Sequence, residues 1–332
     1  GAGPLADAFF VAFRLPNFFR RVTAEGSFSV AFIPIYSEAI EKDGEEAAEI
    51  FASRTFWVML IILGIFSALF MVFMPQVLTV IAPGFKADPE QFDLAVTLSR
   101  ITFPYLLLMS LTALLGGMLN AHHRFGPFAF APTLFNLCLV IALLWSALFE
   151  NAGYAMAWGI VAAGFIQLGW LWANLKRAGL RIRFVKPGFS PRIRRVFKLM
   201  GPGVIGAGAQ QINLFIDTII ASFLATGAIS YLYYADRLNQ LPLGMVGIAV
   251  GTALLPMLSR ALSQDNREEA RDLFNRALEM CLFLALPAAA ALCVMPHSII
   301  SVLFERGEFN AQDALTTAHV LGGYSLGLPA YI

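Results

Sequence analysis

Eight ionisable side chains sit in stretches of this chain that are otherwise apolar enough for a lipid bilayer. They are Arg14, Arg20, Arg21 and Arg237 against Asp7, Glu25, Asp217 and Asp236. A charged group at bilayer depth costs at least about 2.5–3.5 kcal/mol, so each must face a partner or a polar cavity. Asp7, Arg14 and Arg21 are spaced by seven residues, which places them on one helix face. Arg21 and Glu25 stand four apart, and Arg20 lies off that stripe with no partner close in sequence. Three arginines against two carboxylates crowd this first segment. Guanidinium stays charged when buried and donates a bidentate fork, so the set suits phosphate. Asn17, in the run Arg14-Leu15-Pro16-Asn17, completes the candidate binding set. The competing reading pairs each arginine locally, as Arg21–Glu25, Arg237–Asp236 and Arg14–Asp7. Arg20 is then the strongest candidate.

Asp217 poses a different question. It stands among Gln210, Gln211 and Asn213, and oxygen-rich surroundings suit a hard cation such as Na⁺. Carrying a proton, or hydrogen bonding to a neighbouring helix, are the other readings. Arg100 lies near the centre of an apolar stretch between Ser99 and Thr102 and is left without a role.

The elements that must position these groups are membrane spans. The chain has 332 residues, 58% of them hydrophobic and 14% charged, with a mean hydropathy of +0.70. Soluble domains carry about 25% charged residues, so a soluble enzyme is excluded. About 20 apolar residues cross a bilayer as helix. Nine segments qualify: 5–40 (interrupted), 52–83, 92–120, 127–149, 153–175, 199–225, 228–258, 277–297 and 314–332. No two-residue alternation supports a membrane β-barrel. Sixteen of the 23 Lys and Arg fall in or beside the loops 41–51, 121–126, 176–198 and 259–276. Lys86 and Arg306 alone fall in the loops opposite. The basic side is therefore read as cytoplasmic.

The fold class is an all-α polytopic membrane protein, a two-lobe helical bundle of about nine spans. The domain reading is an N-terminal lobe over 1–180, a basic cytoplasmic linker over 181–198 and the start of a C-terminal lobe over 199–332. The basic loop is expected to fix topology and touch anionic lipid. The acidic run from Glu41 to Glu46 is expected to be a solvated turn, and His122-His123 an interfacial one. Cys138, Cys281 and Cys293 lie in apolar runs and suggest neither disulfide nor zinc. The chain begins at Gly1 without Met and stops at Ile332 within an apolar stretch, and so reads as a piece of a longer protein.

An internal repeat crosses the lobe boundary. Arg14-Leu15-Pro16-Asn17 followed by Pro34 and Ser37 is matched by Arg237-Leu238-Asn239-Gln240 followed by Pro256 and Ser259. Arg to Pro is 20 residues in one copy and 19 in the other. Such repeats are typical of transporters. No nucleophile elbow, phosphate-cradling glycine loop or metal-ligand helix motif is present, and nothing points to nucleic acid.

The run from Ala6 to Arg21, with Ala24-Glu25-Gly26-Ser27-Phe28-Ser29 and Ala31-Phe32-Ile33-Pro34, closely resembles the signature of the MurJ (MviN) lipid II flippases. That family belongs to the multidrug/oligosaccharidyl-lipid/polysaccharide exporter superfamily. Tyr233-Tyr234-Ala235-Asp236-Arg237-Leu238, with Gln240-Leu241-Pro242-Leu243-Gly244 and Gly247 to Thr252, resembles it too. The resemblance implies fourteen helices in two lobes around a cationic cavity, of which this chain would supply helices two to ten. It places Asp7, Arg20 and Glu25 on charged positions of the family's second helix, and Arg237 on the cavity arginine of the eighth. Asp217 falls in the helix where some relatives hold sodium. Gln240 stands where family members can have a carboxylate.

The function implied is flipping of lipid II, a peptidoglycan precursor, across the bacterial inner membrane. It would work by alternating access with pyrophosphate on cavity arginines. The protein would be a transporter rather than an enzyme, a monomer among membrane lipids, with no cofactor beyond a Na⁺ or H⁺ gradient or the membrane potential. A flippase for another polyprenyl-linked oligosaccharide, a drug exporter, and a membrane enzyme acting on polyprenyl phosphates are the alternatives.

Overall fold

The computed structural model describes residues 1–20, 27–264 and 266–331, leaving aside the side chains of 207–210 and 248–249. Its regular elements are helices, apart from one antiparallel bridge between Arg306 and Phe309. Contacts group the chain into two units, Ala8–Ala225, and Gly1–Asp7 with Thr226–Ile332.

The first unit holds most of α1 (Pro4–Phe19), then α2 (Ser29–Asp43), α3 (Glu45–Val72), α4 (Met74–Ile81), α5 (Pro89–Thr102), α6 (Tyr105–Ala121), α7 (Gly126–Leu144), α8 (Ala152–Arg177) and α9 (Pro191–Ser222). The second holds α10 (Ala228–Pro242), a π-helical stretch Leu243–Ile248, α11 (Ala249–Ser263), α12 (Arg267–Val294), α13 (Pro296–Phe304) and α14 (Ala311–Tyr331). This grouping keeps α9 with the helices before it, whereas the sequence reading opens a new lobe at 199.

Six described helices are long and apolar enough to span, namely α3, α5 with α6, α7, α8, α10 through α11, and α12. A seventh is α9, counted as one span although its axis bends by 49° between Pro191–Gly206 and Gln211–Ser222. Nine spans are expected from the sequence; six or seven pass among the described residues. The first segment is split between α1 and α2, and the last, α14, is diluted by Thr, His, Gly and Ser.

The repeat is structural. Each copy is a pair of helices about four turns long, α1 and α2 in one, α10 and α11 in the other. In the second copy the interruption is the π-helical stretch. In the first, residues 21–26 between α1 and α2 lie outside the described residues.

Small residues bring the helices of the first unit together. A Cβ at Gly159 would sit 2.7 Å from the Ala142 Cβ of α7, and one at Gly164 would sit 2.8 Å from Leu108 Cδ1 of α6. Gln167 of α8 is buried there. It donates to Ala131 O at 2.8 Å and accepts from the Tyr105 hydroxyl at 3.5 Å. Around Phe32, Tyr36, Phe51, Leu115 and Met118 these helices share one apolar core. The second unit packs around Leu238, Leu292, Ile300, Phe309 and Leu321.

The basic loop and the acidic turn are partners rather than separate solvated features. Gly44, at φ 85°, turns the chain between α2 and α3 where a side chain would be strained. Glu49, Ser53 and Trp57 then recur every fourth residue along one face of α3. Against this ladder lies the extended segment after α8. Arg181 N–H donates to Glu49 at 3.0 Å, Arg183 N–H to Ser53 Oγ at 2.9 Å, and Trp57 Nε1 to Arg183 O at 3.0 Å. The Arg183 guanidinium bridges Glu46 and Glu49 at 2.6 and 3.2 Å. The hydrogen bond to Glu46 raises it further above its usual range. Arg192 meets Asp43, and Arg195 meets Glu38 at 2.7 Å. The expected linker, 181–198, ends early. Ser190 caps α9 by accepting from Ile193 N, and Pro191 occupies its first position.

Removing the Glu49 carboxylate deletes the bond from Arg181 N–H, worth about 1.5 kcal/mol or roughly tenfold in the open population, together with the solvent-screened pair to Arg183, which adds little. In the full-length protein, Glu49→Ala is expected to speed tryptic cleavage at Arg181 and Arg183 about tenfold. Cleavage at the wild-type rate would mean the ladder does not hold the segment.

Candidate functional site

In the first unit, the end of α1 carries Arg14 and Asn17, and Arg20 follows directly after it. Pro16 interrupts this helix. Its ring has no N–H, so the Ala12 carbonyl loses its partner. Thr102, fully buried on α5, donates to Ala12 O at 3.1 Å and answers the loss. Aromatic rings fix the next turn. Phe19 lies edge-on to Phe66, Phe70 and Phe103 at 5.0, 5.4 and 6.0 Å, and Phe18 lies edge-on to Phe215 of α9 at 4.6 Å. Such pairs add about 0.5–1.5 kcal/mol each beyond burial. Three residues after Asn17, Arg20 donates through Nε and Nη2 to Asn17 Oδ1 at 2.9 and 2.7 Å. The neutral amide orients the fork without cancelling its charge.

Arg14 reaches a different helix. Its Nη1 donates to Leu214 O of α9 at 3.1 Å and to Thr218 Oγ1. Asp217, half-buried on the same turn, interacts electrostatically with it. Of the amides expected near Asp217, Asn213 is exposed and the Gln210 side chain lies outside the described residues. Arg21 and Glu25 lie outside them as well. Arg100 also resolves into a helix end. It is exposed and donates to Met71 O, in the last turn of α3, at 2.9 Å.

In the second unit, Asp7 is 2% exposed and both its oxygens are engaged. Oδ2 accepts from Gly227 N at 2.7 Å, and Oδ1 from Ser230 N and Ser230 Oγ at 2.8 and 2.5 Å. These are the first turn of α10, whose N-cap is Gly227 at φ 96° and offers no side-chain acceptor. Asp7 is therefore a cap supplied from another helix, and its charge suits the positive end of the α10 dipole. This assigns both Asp7 oxygens to α10. The one hint in the sequence is a helix start that lacks its own cap. Beside it, Tyr231 donates to Asp313 at 2.8 Å, while Asp313 and Asn310 cap the start of α14 reciprocally.

Arg237 lies further along α10, half-buried. Its guanidinium carbon sits 4.8 Å from the centre of the Tyr233 ring, and its buried Nε has no hydrogen-bond partner among the described residues. Asp236 accepts from Gln240 Nε2 at 2.5 Å. The local pair Arg237–Asp236 is absent among the described residues. A ring polarises toward the cation without neutralising it. Arg237 is thus a buried donor that an anion would satisfy. Among the described residues, no group of three or more His, Cys, Asp or Glu is placed to hold a metal.

The family model described as "Lipid II flippase MurJ" matches residues 1–332. A probable lipid II flippase MurJ of Rhizobium meliloti (strain 1021) is 47% identical over 337 residues, covering 100% of this chain and 63% of that relative. A lipid II flippase MurJ of Burkholderia cenocepacia is 35% identical, covering 100% of this chain and 65% of its own length. The chain thus spans under two thirds of these curated relatives. Among solved structures, "Lipid II flippase MurJ, inward closed conformation" superposes with a TM-score of 0.82 at 29% identity, over 100% of this chain and 68% of that one. An inward-facing multidrug transporter of the MATE family reaches 0.77 at 14% identity, over 98% of this chain and 77% of that one, and shares the fold.

If Asp7 holds α10, its neutral isostere should weaken that hold. Asp7→Asn is expected to lower the thermal midpoint of the full-length protein, by about 1.5–3 kcal/mol of lost charged hydrogen bonding. Ser230→Ala should give a smaller drop, and the double variant less than the sum. Additive losses would mean the two side chains act apart.

Proposed function

This chain belongs to the MurJ lipid II flippase family, and from that premise we propose that it is part of a transporter moving lipid II from the cytoplasmic to the periplasmic leaflet of the bacterial inner membrane. Movement is by alternating access, with the lobes rocking and the polyprenyl tail left in lipid. Arg20 and Arg237 bind the pyrophosphate. The observation that carries the reading is Arg237, a half-buried guanidinium stacked on a tyrosine with its Nε unsatisfied. Arg20, oriented by a neutral amide, supports it. Pyrophosphate is the anion such forks match bidentately.

The family's function calls for no covalent step. Only tighter binding in one state than the other shifts the equilibrium between them. The membrane potential, worth about 2.3 kcal/mol per charge at 100 mV, or a gradient of Na⁺ or protons supplies direction. The carboxylates that an alternative polyprenyl-phosphate enzyme would need for Mg²⁺ are those of the 41–49 turn. Asp43, Glu46 and Glu49 are engaged there by Arg192 and Arg183. A protein acting alone, as a monomer, suffices for this scheme.

The test uses full-length protein in lipid vesicles and reads lipid II exposed on the far leaflet. Wild type should move it. Arg20→Ala and Arg237→Ala should each slow movement about tenfold or more, the worth of one bidentate charged contact. Variants as fast as wild type would make these arginines structural. Movement of another polyprenyl-linked oligosaccharide but not of lipid II would replace the substrate and keep the site.

A further inference from the structure

The basic stretch 176–198 is answered only in part. Of its nine Lys and Arg, Arg183, Arg192 and Arg195 pair with carboxylates of α2 and α3. The other six make no ion pair among the described residues. Two of them, Lys176 and Arg181, line a cavity of about 370 Å³ at the end of α8, together with Trp172, Leu175, Leu180 and Ile182. Gly179, at φ 83°, turns the chain there, and Leu180 N–H closes on Leu175 O at 3.1 Å. The turn brings Arg181 to the same cavity as Lys176. Trp172 lies edge-on to Phe56 at 5.9 Å. It stands about 7.5 Å short of the helix end, the depth at which tryptophan meets lipid headgroups. Glu49 borders the turn through Arg181 N–H, but the Arg183 guanidinium offsets its charge. Just beyond, Phe184 is 87% exposed, its ring 5.1 Å from that of Trp57. An uncovered ring among cations suits the lipid interface.

We propose that this cavity holds the headgroup of an anionic phospholipid of the leaflet on the basic side, with Lys176 and Arg181 on its phosphate and Trp172 and Ile182 beside its glycerol. A guanidinium fork and an ammonium point charge both suit a phosphate diester. The apolar wall favours a lipid over free phosphate. Ligand pockets run from about 300 to 1,000 Å³, so this one has room for a headgroup, and the acyl chains stay in the bilayer. Lys176 belongs to α8, whereas Arg181 belongs to the extended segment that Glu49 and Ser53 hold on α3. A lipid bound to both fastens that segment to the end of α8. The inference stands on the α8 end and does not depend on which lipid is moved across the membrane.

Thermal unfolding of the full-length, delipidated protein in detergent micelles tests it, with phosphatidylglycerol, phosphatidylcholine or glycerol 3-phosphate titrated in. Phosphatidylglycerol is expected to raise the wild-type midpoint to a plateau, and the other two to leave it unchanged. Lys176→Gln/Arg181→Gln should need about tenfold or more phosphatidylglycerol for half of that rise, the loss expected of charged contacts to one phosphate. Lys176→Arg/Arg181→Lys keeps both charges and should keep the response. Lys186→Gln/Arg194→Gln removes as much charge from the same stretch outside the cavity. It should change the half-point less than about twofold, because exposed charges at a distance are screened. An equal change in the two Gln variants would mean diffuse surface charge and overturn the proposal. So would an equal rise with phosphatidylcholine, or no rise with phosphatidylglycerol. A full rise with glycerol 3-phosphate would make the cavity a site for a soluble phosphate ester and overturn the lipid assignment.

Discussion

Pro16 takes one hydrogen bond out of the backbone of α1, and at bilayer depth no water is at hand to replace it. Every polar group that leaves helical pairing there must be answered by the chain itself. The Thr102 hydroxyl answers the Ala12 carbonyl across two helices. The same constraint explains features that share no sequence motif. Asp7 answers the open N–H groups of α10, and Arg100 a last-turn carbonyl of α3. Gln167 ties α8 to α7 through Ala131 O. Each bond is modest by measured standards, about 0.6 kcal/mol on average between membrane helices. Their number and burial are what fix where one helix may meet another.

This constraint also sorts the charges. A charge whose partners are backbone groups and hydroxyls of the fold is already committed. Asp7 and Arg14 are of that kind. Arg20 and Arg237 differ, because an amide and an aromatic ring orient them without cancelling charge. These are the two places proposed for pyrophosphate. On the basic side, charge serves another end. The ladder of Glu49, Ser53 and Trp57 reads the backbone of an extended segment as a neighbouring strand would.

How much of this the sequence displays depends on the range over which each feature is determined. Spans depend on local hydropathy, and the nine segments coincide with helices. Among the described residues their count as crossing helices is six or seven, because neither α1 nor α2 is long enough alone and α14 is diluted by polar residues. The repeat was legible because Arg, Pro and Ser recur at nearly equal spacing, and both copies fold as helix pairs. The role of Asp7 was not legible, since its donors are backbone N–H groups 220 and 223 residues away. Arg100 was opaque for the same reason, its partner being a carbonyl. Glu49, Ser53 and Trp57 show their fourfold spacing plainly, yet the segment they hold is about 130 residues distant. Composition reveals that charges need partners; only the fold says which ones have them.

That Arg20 and Arg237 bind pyrophosphate while Arg14 fastens helices is the central claim, and equilibrium binding of a polyprenyl pyrophosphate to the full-length protein tests it directly. Folded wild type would be compared with Arg14→Gln, Arg20→Gln and Arg237→Gln. Affinity is expected to fall about tenfold or more for Arg20→Gln and Arg237→Gln and to stay near wild type for Arg14→Gln. Equal losses in all three, or a loss confined to Arg14→Gln, would contradict the account.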